Sequence, residues 1–99
     1  PWVMAHDRLS RQIMEAIALS LPAELDLEVI DVLPGKTSSH YIAVFQPTIA
    51  DYDVDAGYAG LEEAREEITE VIAAEITRRS MPDVTFKISP KFDWDKLKG

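Results

Sequence analysis

Apolar residues recur at spacings of three and four over residues 61–79, the periodicity of a helix with one buried face. These positions are Leu61, Ala64, Ile68, Val71, Ile72 and Ile76. Acidic residues occupy the first turn, and Arg78 and Arg79 occupy the last, which favours the helix dipole. Because Pro82 disfavours helical geometry just before it, the pattern predicts one helix that ends near Arg79.

A shorter helix is predicted near the start of the chain. Asp7 is a suitable N-cap, and Pro22 ends the helix near Leu21. The apolar positions behind the cap are Leu9, Ile13, Ala16, Ile17 and Leu21. This helix has one apolar face and needs a surface to pack against.

Three segments have strand composition: residues 25–33, 40–46 and 84–88. Alternation in the first segment places Val29 and Leu33 on one face and Ile30 and Val32 on the other. The first two segments are separated by residues 34–39, which are rich in turn formers and predict an antiparallel hairpin.

The predicted fold is an α+β, two-layer α-β-β-α-β sandwich, a three-stranded sheet with two helices on one face. Residues 1–99 form a single domain, in which 1–6 are a linker and 91–99 a C-terminal tail. Residues 47–60 are expected to be irregular. The helix-free face would expose Ile30, Val32 and their partners, so a second copy of the chain is the expected cover, as a homodimer.

Net charge and composition exclude several functions. The 18 acidic and 10 basic side chains give −8, which disfavours nucleic-acid binding and favours cations or basic partners. Cysteine is absent, so disulfides and thiolate sites are excluded. No serine lies in a nucleophile elbow, and the chain is not expected to be an enzyme.

Metal binding is the remaining chemistry. Asp51, Asp53 and Asp55 alternate as in a calcium loop, but Ala56 stands where that loop needs glycine. The candidate metal ligands are therefore mixed nitrogen and oxygen donors. They are His40, Asp31, His6 and Asp93.

The acidic helix beginning at Leu61, the Pro-Asp-Val-Thr-Phe sequence at 82–86 and the Asp-Trp tail resemble the cytoplasmic C-terminal domain of cation diffusion facilitator transporters. The resemblance implies a dimer that binds a divalent cation such as zinc, iron or manganese. It also implies a membrane-spanning, cation-efflux part before Pro1 in the full protein. Cations at the interface would offset repulsion between two acidic protomers.

A second resemblance has nearly the same order of elements. Residues 78–86 and 8–13 are similar to ribosome-binding factor A, a KH-type RNA-contacting ribosome assembly factor. That family has a kinked Ala-x-Gly helix pair, whereas residues 64–67 continue without a break. The acidic charge also disfavours ribosomal RNA as a partner, so the transporter domain is the first hypothesis and the ribosomal factor the alternative.

Overall fold

The computed structural model describes residues 8–37, 39–76 and 82–89. The elements in chain order are α1 (Arg8–Ser20), a 3-10 turn (Ala23–Leu25), β1 (Leu27–Pro34), β2 (His40–Pro47), α2 (Val54–Glu75) and β3 (Asp83–Ile88). This order confirms the predicted α+β fold. The predicted linker 1–6 and tail 91–99 lie outside the described residues.

The three strands form one sheet in the order β1-β2-β3. β1 and β2 are antiparallel, which confirms the predicted hairpin. β3 runs parallel to β2 because α2 returns the chain across the sheet between them. Consequently β2 and β3 start at the same end of the molecule.

A β-bulge at Ile30 changes which side chains of β1 face the helices. Val29 pairs with Phe45 and Asp31 with Val44, so Ile30 has no opposite residue. The extra residue reverses the alternation beyond it. Val32 is therefore buried and Leu33 partly exposed, so the predicted faces of these two residues were wrong.

α2 begins seven residues earlier than the sequence pattern predicted. Asp53 caps it, since the carboxylate accepts a hydrogen bond from the Ala56 amide at 3.2 Å. Half of the segment predicted to be irregular is thus helical. The helix ends at Glu75 because Ile76 has extended geometry (φ −108°, ψ 124°), before the predicted end at Arg79.

The core lies between the helices and the inner face of the sheet. Its largest fully buried side chains are Phe45, Ile13, Ile17, Leu61, Ile68, Ile72 and Val32. Phe45 and Phe86 meet edge to face, with ring centroids 5.5 Å apart. None of the described helices has the length and apolar character required to cross a bilayer.

Candidate functional site

The acidic charge of the chain is concentrated in one segment. Residues 51–75 contain nine acidic side chains and one basic side chain, Arg65. Most of the acidic residues of α2 lie on its solvent-exposed side. Nine acidic and one basic side chain give this segment −8, which equals the net charge of the whole chain, so the charges elsewhere cancel one another.

The basic side chains of the first half lie toward the opposite end of the fold. Arg8 and Arg11 are in the first turn of α1, and Lys36 is in the β1–β2 turn, all three exposed. The end of α1 and the start of β1 line one groove, at Ala18 and Leu27, and the helix contacts this strand. We therefore infer that the start of α1 lies toward the end of β1. We call Arg8, Arg11 and Lys36 the basic end.

His40 fixes the shape of the turn beside Lys36. The Gly35 amide donates to the His40 carbonyl at 2.7 Å, and the His40 amide donates to the Thr37 carbonyl at 3.2 Å. A Cβ on Gly35 would lie 2.8 Å from His40 Cγ, so the turn requires glycine there. On the outer face of the sheet, His40 Nε2 is 2.7 Å from Thr85 Oγ1. The imidazole thus joins β2 to β3 near the basic end.

The other end of the molecule is acidic. A cavity of about 330 Å³ lies between the 3-10 turn and the start of α2. Its acidic lining residues are Glu24, Asp26, Asp51 and Asp53. Asp26 and Asp51 have positive φ (53° and 55°), a backbone geometry that few residues other than glycine adopt. The acidic cavity thus lies where β1 begins and β2 ends, opposite the turn that carries Lys36. The exposed Asp83 lies beside His40 at the Lys36 end.

Tyr52 holds the acidic end together. Its hydroxyl donates to the Leu25 carbonyl at 2.7 Å, which links the loop before α2 to the 3-10 turn. Burial raises the pKa of Tyr52 above 10.0, and the carboxylates of Asp26 and Asp53 raise this pKa further. Gly57 packs against the ring, where an added Cβ would lie 2.5 Å from the hydroxyl oxygen. The hydroxyl is therefore held neutral and in a fixed position.

Arg65, the exception in the acidic segment, has a structural role. Its guanidinium forms an ion pair with Glu62 (2.9 Å) and donates to the Val84 carbonyl (3.1 Å). It also lies 4.2 Å from the centroid of the Phe86 ring, within range of a cation–π interaction. Arg65 thus links α2 to β3 and stabilises the fold.

The structure does not bring the predicted metal ligands together. Asp31 lies opposite Val44, four residues along β2 from His40, which is roughly 13 Å of strand. The Asp31 carboxylate accepts from the Val32 amide at 2.8 Å. His6 and Asp93 lie outside the described residues. Across 8–37, 39–76 and 82–89, no three histidine, aspartate or glutamate side chains form a group able to hold a metal ion.

Comparison with known proteins identifies the kind of fold. The crystal structure of ribosome-binding factor A from Thermus thermophilus is similar, with a TM-score of 0.61 and 20% sequence identity. The alignment covers 79% of this chain and 89% of that chain. No protein-family model matches the sequence, and no curated protein matches it.

The prediction of a cation efflux transporter domain was wrong. The fold is similar to ribosome-binding factor A, and the described residues contain no metal-binding group. The features that suggested the transporter have structural explanations, since the glutamates of α2 form its solvent side and Phe86 is a core residue. The expected homodimer and the upstream membrane part remain predictions.

The sequence did not predict the basic end, because the net charge of a chain does not show where its charged residues lie in the fold. A count of charge by segment would not have indicated it, because residues 1–50 contain six acidic and three basic side chains and are themselves net acidic. The contacts of Tyr52 and Arg65 could not be found in this way either. Both depend on groups distant in sequence, the Leu25 carbonyl and the Phe86 ring.

Proposed function

We propose that this protein binds the ribosome and contacts ribosomal RNA through its basic end. The observation that carries the proposal is the similarity of its fold to ribosome-binding factor A over 89% of that chain. The name of that protein states that it binds the ribosome. The order of elements and the parallel β2–β3 pair give this chain the same scaffold for such a contact.

The charge distribution supports an RNA contact at one end of the molecule. Lysine and arginine side chains bind RNA by displacing counterions from its phosphates. Arg8, Arg11 and Lys36 are exposed, and none of them lines the acidic cavity, which lies at the other end of the β1–β2 hairpin from Lys36. Contact at this end brings cations to the phosphates and keeps the acidic cavity, which lies where β1 begins and β2 ends, away from them.

The test is binding to purified ribosomal subunits at low salt, with substitutions at the basic end and a control on β3. Lys36→Gln and the double variant Arg8→Gln/Arg11→Gln should weaken binding. Lys87→Gln is the matched control, because Lys87 is exposed on β3, opposite Val44 and away from the turn. Because the basic end contains three cations, the logarithm of affinity should fall with the logarithm of salt at a slope of about two to three.

Two outcomes would contradict the proposal. The first is the absence of binding to ribosomal subunits at low salt. The second is binding that Lys36→Gln and Lys87→Gln weaken equally, since a contact at the basic end requires Lys36 to matter more. If neutralising the α2 glutamates abolished binding instead, the ribosomal contact would be with a basic protein and not with RNA.

A further inference from the structure

The hydrogen bonds at the two ends of β1 show which of its backbone groups point away from β2. The Thr48 amide donates to the Asp26 carbonyl at 2.9 Å. At the other end, Gly35 donates to His40 at 2.7 Å. Bonded and non-bonded pairs alternate in antiparallel strands, and the bulge shifts the alternation by one residue. The outward-pointing residues are therefore Leu27, Val29, Val32 and Pro34.

The half of this edge beyond the bulge is closed to a further strand. The Val32 amide, which points outward, donates to the Asp31 carboxylate at 2.8 Å. Pro34 has no amide hydrogen to offer. Such devices prevent strand addition at sheet edges. The open part of the β1 edge is thus its first half, at Leu27 and Val29.

The outer edge of β3 is also covered by side chains of α2. Asp83 and Ser89 donate to β2, so the alternate residues between them point outward. Of these, Val84 accepts a hydrogen bond from Arg65, and Ile88 donates to the Tyr58 hydroxyl at 2.9 Å. In the described part of the sheet, the first half of β1 is therefore the edge at which no such side-chain hydrogen bond is formed. Of its two outward-pointing residues, Leu27 is only 7% exposed and Val29 is half-buried.

An apolar groove lies next to Leu27 and Val29. It has a volume of about 200 Å³ between the end of α1 and the start of β1. The lining residues are Ala18, Leu21, Pro22, Ala23, Leu27, Glu28 and Val29. Glu28 is exposed, and its side chain belongs to the opposite face of the sheet from those of its two neighbours on β1. An apolar depression and a carboxylate thus lie on the two sides of one short edge.

We propose that this edge binds an extended peptide from a protein partner, with the pattern basic–apolar–basic. The peptide pairs with Leu27 and Val29 through backbone hydrogen bonds, as in other strand-addition complexes. Because side chains alternate along a strand, the apolar residue enters the groove while both basic neighbours lie beside Glu28. The site is separate from the basic end, so it does not depend on RNA binding.

Charge complementarity favours this partner over a second copy of the chain. Antiparallel pairing of two β1 edges about a two-fold axis at Glu28 would place the two Glu28 carboxylates opposite each other. Each copy also carries a net charge of −8. A peptide with two lysines or arginines meets the same edge with opposite charge.

The test is an NMR titration of the ¹⁵N-labelled protein with the peptide Thr-Lys-Val-Lys-Thr, up to millimolar concentration. Saturable shifts and slower hydrogen exchange are expected at the amides of Leu27 and Val29. The control peptide Thr-Glu-Val-Glu-Thr should not bind. Glu28→Lys should reverse this preference, whereas Glu63→Lys on α2, which changes the net charge equally, should leave it unchanged.

A second variant tests the groove separately from charge. Ala18 is exposed on α1, so Ala18→Leu should preserve the helix while filling the groove. It should weaken binding of Thr-Lys-Val-Lys-Thr about tenfold. The proposal is overturned if the Leu27 and Val29 amides do not respond, or if Glu28→Lys and Glu63→Lys act alike. Shifts that depend on protein concentration without peptide would show self-pairing, which also overturns it.

Discussion

Tyr52 shows how one side chain determines the shape of an acidic surface. The loop before α2 carries several carboxylates that repel one another, and Tyr52 binds it to the Leu25 carbonyl. Its proton is essential for that bond, since a tyrosinate cannot donate. Burial and the nearby Asp26 and Asp53 all favour the neutral form.

The contribution of Tyr52 to stability should therefore depend on pH. The folded state raises its pKa above the ordinary 10.0. The stability from neutral Tyr52 is thus complete below about pH 10 and is lost as the pH rises through the folded-state pKa. Tyr52→Phe should lower the free energy of unfolding by about 1 kcal/mol at neutral pH.

Urea unfolding followed by circular dichroism, from neutral to alkaline pH, measures this effect. The difference between the wild type and Tyr52→Phe should shrink above pH 10, because the variant has no proton to lose at this position. If the difference in free energy of unfolding stays constant across this pH range, ionisation of the Tyr52 hydroxyl does not affect stability.

At the scale of elements, periodicity predicted the helices and strands but not their irregularities. Apolar spacing identified the buried faces of α1 and α2, because core contacts follow the helical repeat. The first turns of α2 were missed since Gly57 and Gly60 have low helix propensity. Glycine is needed at both positions, because a Cβ on Gly57 would clash with Tyr52 and a Cβ on Gly60 would clash with Leu25.

The bulge was missed, and Asp31 was grouped with His40, for a related reason. Both depend on which residues lie opposite each other, and composition does not contain that register. The extra residue Ile30 reverses the faces of Val32 and Leu33. Asp31 and His40 were grouped because of their chemistry, but the hairpin register separates them along β2.

The exposed side of α2 contains like charges at helical neighbours. Glu62, Glu66 and Glu70 follow one another at intervals of four, and each such pair is repulsive. Glu66→Lys converts two repulsive pairs into two attractive ones. It should raise the free energy of unfolding by about 0.5–1 kcal/mol at low salt.

Urea denaturation at low and high ionic strength tests this prediction. Glu66→Gln should give about half the gain, because it removes repulsion without adding attraction. At about 1 M salt, where the Debye length is near 3 Å, both gains should largely disappear. A gain that persists at high salt would indicate improved helix propensity or packing rather than charge.

At the scale of the whole molecule, the fold controls what its sheet can contact. Side chains of α2 reach the outer edge of β3, and the bulge and Pro34 close half of the β1 edge. Uncovered strand edges promote association between copies. We expect the closed β3 edge to keep the chains from joining edge to edge.

Removing the cover of β3 should therefore cause self-association. In Tyr58→Phe/Arg65→Gln, Phe lacks the hydroxyl that accepts from Ile88, and Gln lacks the guanidinium that binds Val84. The double variant should form larger species in size-exclusion chromatography with light scattering. Glu62→Gln is the control, since it removes only the ion-pair partner of Arg65.

An unchanged mass for a folded double variant would contradict this prediction. Hydrogen exchange separates that result from simple unfolding, because the inner amides of β3 must remain protected for the edge to persist. Increased mass in Glu62→Gln as well would indicate that the ion pair, and not the β3 cover, prevents association.

The unpaired Ile30 also bears on how the length of this chain can change. Without that residue, Glu28, Val29, Asp31 and Val32 would alternate without interruption, each on its present side of the sheet. A one-codon deletion here would leave the interior intact, whereas the same deletion at Val44 would put the rest of β2 out of phase. Natural variation in length within the paired strands of this hairpin should therefore concentrate at Ile30.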